Sequence, residues 1–140
     1  MSSITFFSET ISFALPNEHI ISEWISDTIS KEEKTATELS YIFCTDDYLH
    51  NINLTYLNHD TYTDIITFDY TEKNQISGDI FISIDRVKEN AVTYRKTFEN
   101  ELHRVIIHGV LHLLGYKDKT ADEAETMRAK EDFYLSLLSI

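Results

Sequence analysis

A single cysteine, Cys44, cannot close a disulfide within this chain, so stability has to come from packing. It lies in the apolar run LSYIFCT, which reads as a buried strand and argues against a catalytic thiol, because a reactive thiolate needs an activating and partly exposed setting. One proline and three glycines leave few places to hinge. No repeat, low-complexity tract or linker interrupts the 140 residues, so one domain over 1–140 is expected. No stretch approaches the roughly 20 apolar residues of a membrane span, and the opening MSSITFFSET has neither a basic leader nor a long apolar run. A cytoplasmic location without a membrane partner is the expectation that follows.

Basic residues are scarce as well. Twelve stand against 24 acidic ones, and the net charge of −12 repels polyanions at long range, so DNA is not an expected partner. The imbalance is uneven: residues 1–64 carry 11 acids and 2 bases, whereas residues 65–140 carry 13 and 10. In the second part Arg86, Lys88, Arg95, Lys96 and Arg104 face only Glu89, Glu99 and Glu101. Solvated helix faces with i,i+4 pairs account for such a cluster unless a functional site lies beside it.

What the chain has in quantity is apolar and aromatic surface, 42% and 12% of its residues, enough for a core in one domain of this size. Ile4 to Ser8 reads as a strand. Asn17 to about Lys34 reads as a helix whose apolar face runs through Ile20, Ile21, Trp24, Ile25 and Ile29, with Trp24 in the core. Glu38 to Thr45 is strand-like, and Asp46 is placed to cap a helix reaching about Leu57. Asp64 to Tyr70 and Asp79 to Ile84, separated by the turn-like TEKNQISG, suggest an antiparallel hairpin. Asp85 is placed to cap a helix through about Arg95, and a second helix runs from near Phe98 to Gly115. The last opens with Thr120 and Glu123 in capping-box spacing and runs to about Leu138. The order predicts an α+β domain, a small mixed sheet of about four strands packed against about five helices.

The segment HGVLHLLGYKD, His108 to Asp118, carries the chemistry. At about 100° per residue, His108 and His112 fall roughly 40° apart around a helix, close enough for both rings to reach one ion. Gly115 suits a helix end with positive φ, after which the chain can turn back and present Asp118 as a third ligand. Three protein ligands leave a position for water, the pattern of a catalytic zinc site, so Zn2+ is the expected cofactor. The same helix face continues back through Arg104 and Glu101. Glu101 is expected to accept from a ligand histidine and Arg104 to meet a substrate phosphate, which makes them candidate catalytic residues with His108; the plainer reading pairs the two with each other at i,i+3. His103, His19, His50 and His59 lie off this face and read as surface or core. Gly109 costs roughly 1 kcal/mol relative to alanine inside a helix, so close packing or close approach of substrate should compensate. Histidine, histidine, glycine and ligand at this spacing are also found in metzincin-type metalloproteases. Those enzymes need a glutamate where Gly109 stands, and without it peptide hydrolysis lacks its proton acceptor.

These residues resemble the YbeY family of metal-dependent endoribonucleases, whose signature is HGxLHLxGYDH. HGVLHLLGYKD agrees with it as far as Tyr116 and departs at the last two positions. TDIITF (63–68) is similar to the family's TDVLSF strand, SGDIFIS to its LGDI strand, and Met127 with Glu131 to its closing helix. The resemblance spans roughly residues 50–135 in register and the whole chain in element order. It implies a single-strand-specific endoribonuclease acting in ribosomal RNA maturation, 16S rRNA processing included, and in ribosome quality control, with zinc held by three residues.

Three departures follow from that alignment. Asp118 stands at the third histidine of the family, Lys117 at the aspartate before it, and Leu57 at a functional arginine, although Asn53, Tyr56 and Asp60 around Leu57 agree with the family. Aspartate is a zinc ligand in its own right, but being anionic it lowers the net charge of the ion's shell. Activity is then expected at higher pH or with better tolerance of manganese, which Asp118→His should reverse. A phosphate-binding cation is expected from Arg86, Arg104, Lys117 or Lys119, with Arg104 first because it shares the histidine face. At net −12 the chain is expected to bind free RNA weakly and to be recruited through the ribosome or a ribosomal protein. The rival readings are a non-catalytic ribosome-assembly factor with a degenerate site and a small zinc metalloprotease.

Overall fold

In the computed structural model the chain runs β1 (Ser3–Glu9), α1 (Glu18–Lys31), β2 (Thr35–Cys44), α2 (Asp46–Leu57), β3 (Ile65–Asp69), β4 (Gln75–Ser83), α3 (Ile84–Thr93), α4 (Phe98–Leu113) and α5 (Ala121–Ser136). Residues 3–140 are described, and residues 1 and 2 of the domain expected over 1–140 lie outside the described residues. The strands form one sheet in the order β1-β2-β4-β3. β1 and β4 each pair with β2 in parallel, and β3 joins β4 antiparallel as the TEKNQISG turn predicted. This is the mixed four-stranded sheet of the α+β expectation.

Strand periodicity sorts residues between the two faces of the sheet. Leu39, Tyr41 and Phe43 of β2 and Ile80 and Ile82 of β4 point into the main core, where they meet Ile25 and Ile29 of α1 and Ile106 and Val110 of α4. Cys44, Ile52 and Ile66 form a smaller cluster on the opposite face, beneath α2. Burial, with Asp85 and Asp46 nearby, pushes the Cys44 thiol up to about 12, so it is inert. Trp24 is a core residue whose Nε1 donates to the Tyr134 carbonyl at 2.8 Å.

Two helix starts differ from expectation. Thr45, not Asp46, caps α2, and Ser83, not Asp85, caps α3; each hydroxyl sits at a strand end whose backbone is already extended, as a cap requires. The carboxylates left over cross-link the two starts. Asp46 takes the Arg86 guanidinium, and Asp85 accepts from the Asp46 backbone N–H at 2.9 Å. The capping box of Thr120 and Glu123 is present as predicted.

The seating of α4 matters most for the site. A Cβ at Gly109 would lie 3.0 Å from both Ile65 Cδ1 and Ile80 Cγ2, so this glycine lets the helix press onto β3 and β4. Packing, rather than substrate, compensates its cost. Buried Tyr41 donates to the Ile106 carbonyl at 3.0 Å and ties the same helix to β2. No helix among the described residues is long and apolar enough to cross a membrane.

Candidate metal centre

Anchored through Gly109, α4 turns His108 and His112 toward α5 and the loop between the two helices. Gly115 has φ of 105°, a conformation L side chains rarely adopt, and lets the chain double back after the Leu114 cap. Asp118 Oδ2 thereby comes to 3.3 Å from His108 Nε2 and 3.4 Å from His112 Nε2, while the two ring nitrogens lie 2.9 Å apart. A tetrahedral ion with bonds of ~2.0–2.1 Å has ligand atoms about 3.3 Å apart. The three expected ligands are therefore gathered in a group that fits such an ion.

The two rings are held differently. His108 Nδ1 lies 2.6 Å from Glu131 Oε2, and with its proton donated there Nε2 presents a lone pair to the cluster. Burial disfavours a charged His108, but the bond to Glu131 and the carboxylates of Asp118 and Asp64 prevail and hold its pKa above the ordinary value. Burial, then the charge of His108, pushes His112 the other way, toward the neutral form a ligand needs. Glu131 is urged toward protonation by burial, and the bonds from His108 and Arg104 more than reverse this.

The acceptor expected at Glu101 is thus Glu131. Arg104 donates through Nη1 to Glu131 Oε1 at 2.8 Å and through Nη2 to Asp132 Oδ1 at 2.7 Å. It pairs across to α5 instead of with Glu101 along α4, and it braces the carboxylate behind His108 rather than offering a free fork to phosphate. The reason is packing: α5 brings two carboxylates to the guanidinium, whereas Glu101 is buried at the wall of a cavity beside His108. Burial and the nearby Asp64 carboxylate raise the Glu101 pKa.

That cavity, about 500 Å³, is also lined by Asp64, His108 and Asp118. Asp64 reaches it from the loop before β3, which Asn53 shapes by donating to the Thr61 carbonyl at 2.9 Å. Burial raises the Asp64 pKa. Leu57 ends α2 and is no part of the cavity wall. Glu131 had a signal in the sequence. It stands between Met127 and Tyr134 on the stripe that α5 buries, where a carboxylate is costly unless partnered.

A mixed sheet beneath a helix bearing two histidines one turn apart, with a carboxylate closing the triangle, marks a small α+β protein of the metal-dependent hydrolase class. A protein-family model described as Endoribonuclease YbeY matches residues 4–139, and the chain belongs to that family. It is 53% identical over 134 residues to the endoribonuclease YbeY of Flavobacterium johnsoniae, covering 96% of each chain. It is 54% identical over 136 residues to that of Cytophaga hutchinsonii, covering 96% of this chain and 95% of the relative. The solution structure of TM1509 from Thermotoga maritima is similar with a TM-score of 0.68 at 27% identity, over 96% of this chain and 87% of that one. The resemblance drawn from HGVLHLLGYKD therefore holds.

Proposed function

We infer that this chain is a metal-dependent endoribonuclease that cuts single-stranded RNA and works in ribosomal RNA maturation, 16S rRNA processing included, and in ribosome quality control. One observation carries the reading: in a member of the endoribonuclease YbeY family, the residues at the signature positions, Asp118 among them, meet in one group that fits a metal ion. His108, His112 and Asp118 are the proposed ligands and zinc the proposed ion, which when bound would polarise a phosphodiester oxygen and ease deprotonation of the attacking hydroxyl or water. The remaining work falls to side chains around it. Glu131 keeps the proton of His108 on Nδ1, Arg104 keeps Glu131 ionised and in place, and Glu101 and Asp64 line the cavity beside them.

A surface of net −12 is a poor match for naked RNA, so recruitment through the ribosome or a ribosomal protein, in the cytoplasm, completes the proposal. Metal-loaded protein should cut single-stranded RNA in preference to duplex and leave casein intact. Elemental analysis should find one ion per chain, lost together with cleavage in His112→Ala. Casein cleavage without RNA cleavage would point to a protease. Equal complementation by wild type and His108→Ala in a cell lacking the protein would point to a non-catalytic assembly factor.

A further inference from the structure

The cations that spacing placed near the site are mostly occupied. Arg104 is held by Glu131 and Asp132, and Arg86 by Asp46 and Glu89. Two others stand in the wall of the cavity beside His108 and Asp118: Lys96, from the turn between α3 and α4, and Arg128, from α5. Both are exposed, and among the described residues neither side chain takes part in an ion pair or hydrogen bond. The Lys96 backbone N–H closes α3 by donating to the Ala91 carbonyl at 2.8 Å, so its side chain starts from a fixed turn. Arg128 is one turn before Glu131 and near enough to Glu101 to favour its ionised form, which places its charge toward the cavity.

We propose that Lys96 and Arg128 bind phosphates of an RNA strand drawn into the cavity beside His108 and Asp118. An arginine fork matches two phosphate oxygens and a lysine supplies a point charge, and unoccupied side chains can give these bonds without first breaking an internal pair. On a chain of net −12, attraction for a polyanion has to be local, and this cavity joins free positive charge to the candidate metal centre. The proposal rests on the nuclease reading above.

The test is fluorescence anisotropy of a labelled 12-nucleotide single-stranded RNA with the purified full chain across a salt series, with probe integrity checked on a gel. Lys96→Ala and Arg128→Ala should each weaken binding several-fold. The double variant should lower the slope of log affinity against log salt by about 1.4, the value for two phosphate contacts on a single strand. Lys96→Arg and Arg128→Lys should keep the slope, and Lys31→Ala, at the end of α1 and outside the cavity wall, should change nothing. Unfolding midpoint and bound metal should stay as in the wild type, which separates lost phosphate contacts from lost structure. If the wild type cleaves RNA but the double variant binds with unchanged affinity and slope, this assignment is wrong and the nuclease reading stands. If the wild type cleaves no RNA with any divalent ion, the nuclease reading fails and takes this assignment with it.

Discussion

Glu131 is the side chain on which the order of the centre depends most. It is 5% exposed, yet ionised, because His108 and Arg104 both donate to it. Glu131→Gln keeps the shape but leaves the guanidinium facing a neutral amide and loosens the tautomer of His108. Losing such a partner behind a ligand histidine typically costs about 10–100-fold in metal affinity, and that is the expected loss here, measured by competition with a chromogenic chelator. An affinity equal to that of the wild type would show that His108 is oriented without the carboxylate. Asp118 is the counterpart on the open side, an exposed candidate ligand delivered by one positive-φ glycine.

Among the elements, α5 does more for the centre than its composition suggests. Its buried residues are Met127, Glu131 and Tyr134, so the stripe that fixes it to α4 is also the one that delivers the carboxylate. The capping box at Thr120 starts this helix directly after the loop that holds Asp118. Thr120→Ala removes the hydroxyl that accepts from Glu123 N–H and should lower stability by about 1 kcal/mol in urea unfolding. A change within about 0.3 kcal/mol would mean that packing against α4 alone sets the helix start. Capping of α5 was legible because its residues lie three apart in sequence. At α2 and α3 a hydroxyl, Thr45 or Ser83, stands within two residues of the expected carboxylate, and the extended strand end chose the hydroxyl.

Across the whole molecule, Glu32 joins parts that are far apart in sequence. At the end of α1 it accepts from Tyr116 at 2.6 Å, from Lys130 at 3.1 Å and from Tyr134, so it clasps the Asp118 loop and α5 to α1. Burial raises its pKa, but the bonds from Tyr116, Tyr134 and Lys130 outweigh this and leave it below the ordinary 4.5. A depressed carboxylate contributes stability above its unfolded pKa and loses it as pH falls through the folded value. Glu32→Gln should therefore be less stable than the wild type near neutrality, and the gap should narrow as pH drops below 4.5. Urea unfolding at neutral pH and at about pH 3.5 checks this, and a gap that stays constant would show that the clasp acts without its charge.

Element order, the hairpin, the last capping box and all three candidate ligands were readable along the chain, since each depends on residues within a turn or two of one another. The support behind those ligands was not. Glu131 meets His108 from 23 residues away, Arg104 meets Glu131 from 27 and Tyr116 meets Glu32 from 84. Spacing along one helix made Glu101 the natural partner of the centre, because it describes only neighbours on that helix. Which carboxylate backs a histidine, and which cations stay unpaired, is settled when α1, α4 and α5 pack and each side chain finds the oppositely charged group closest in space.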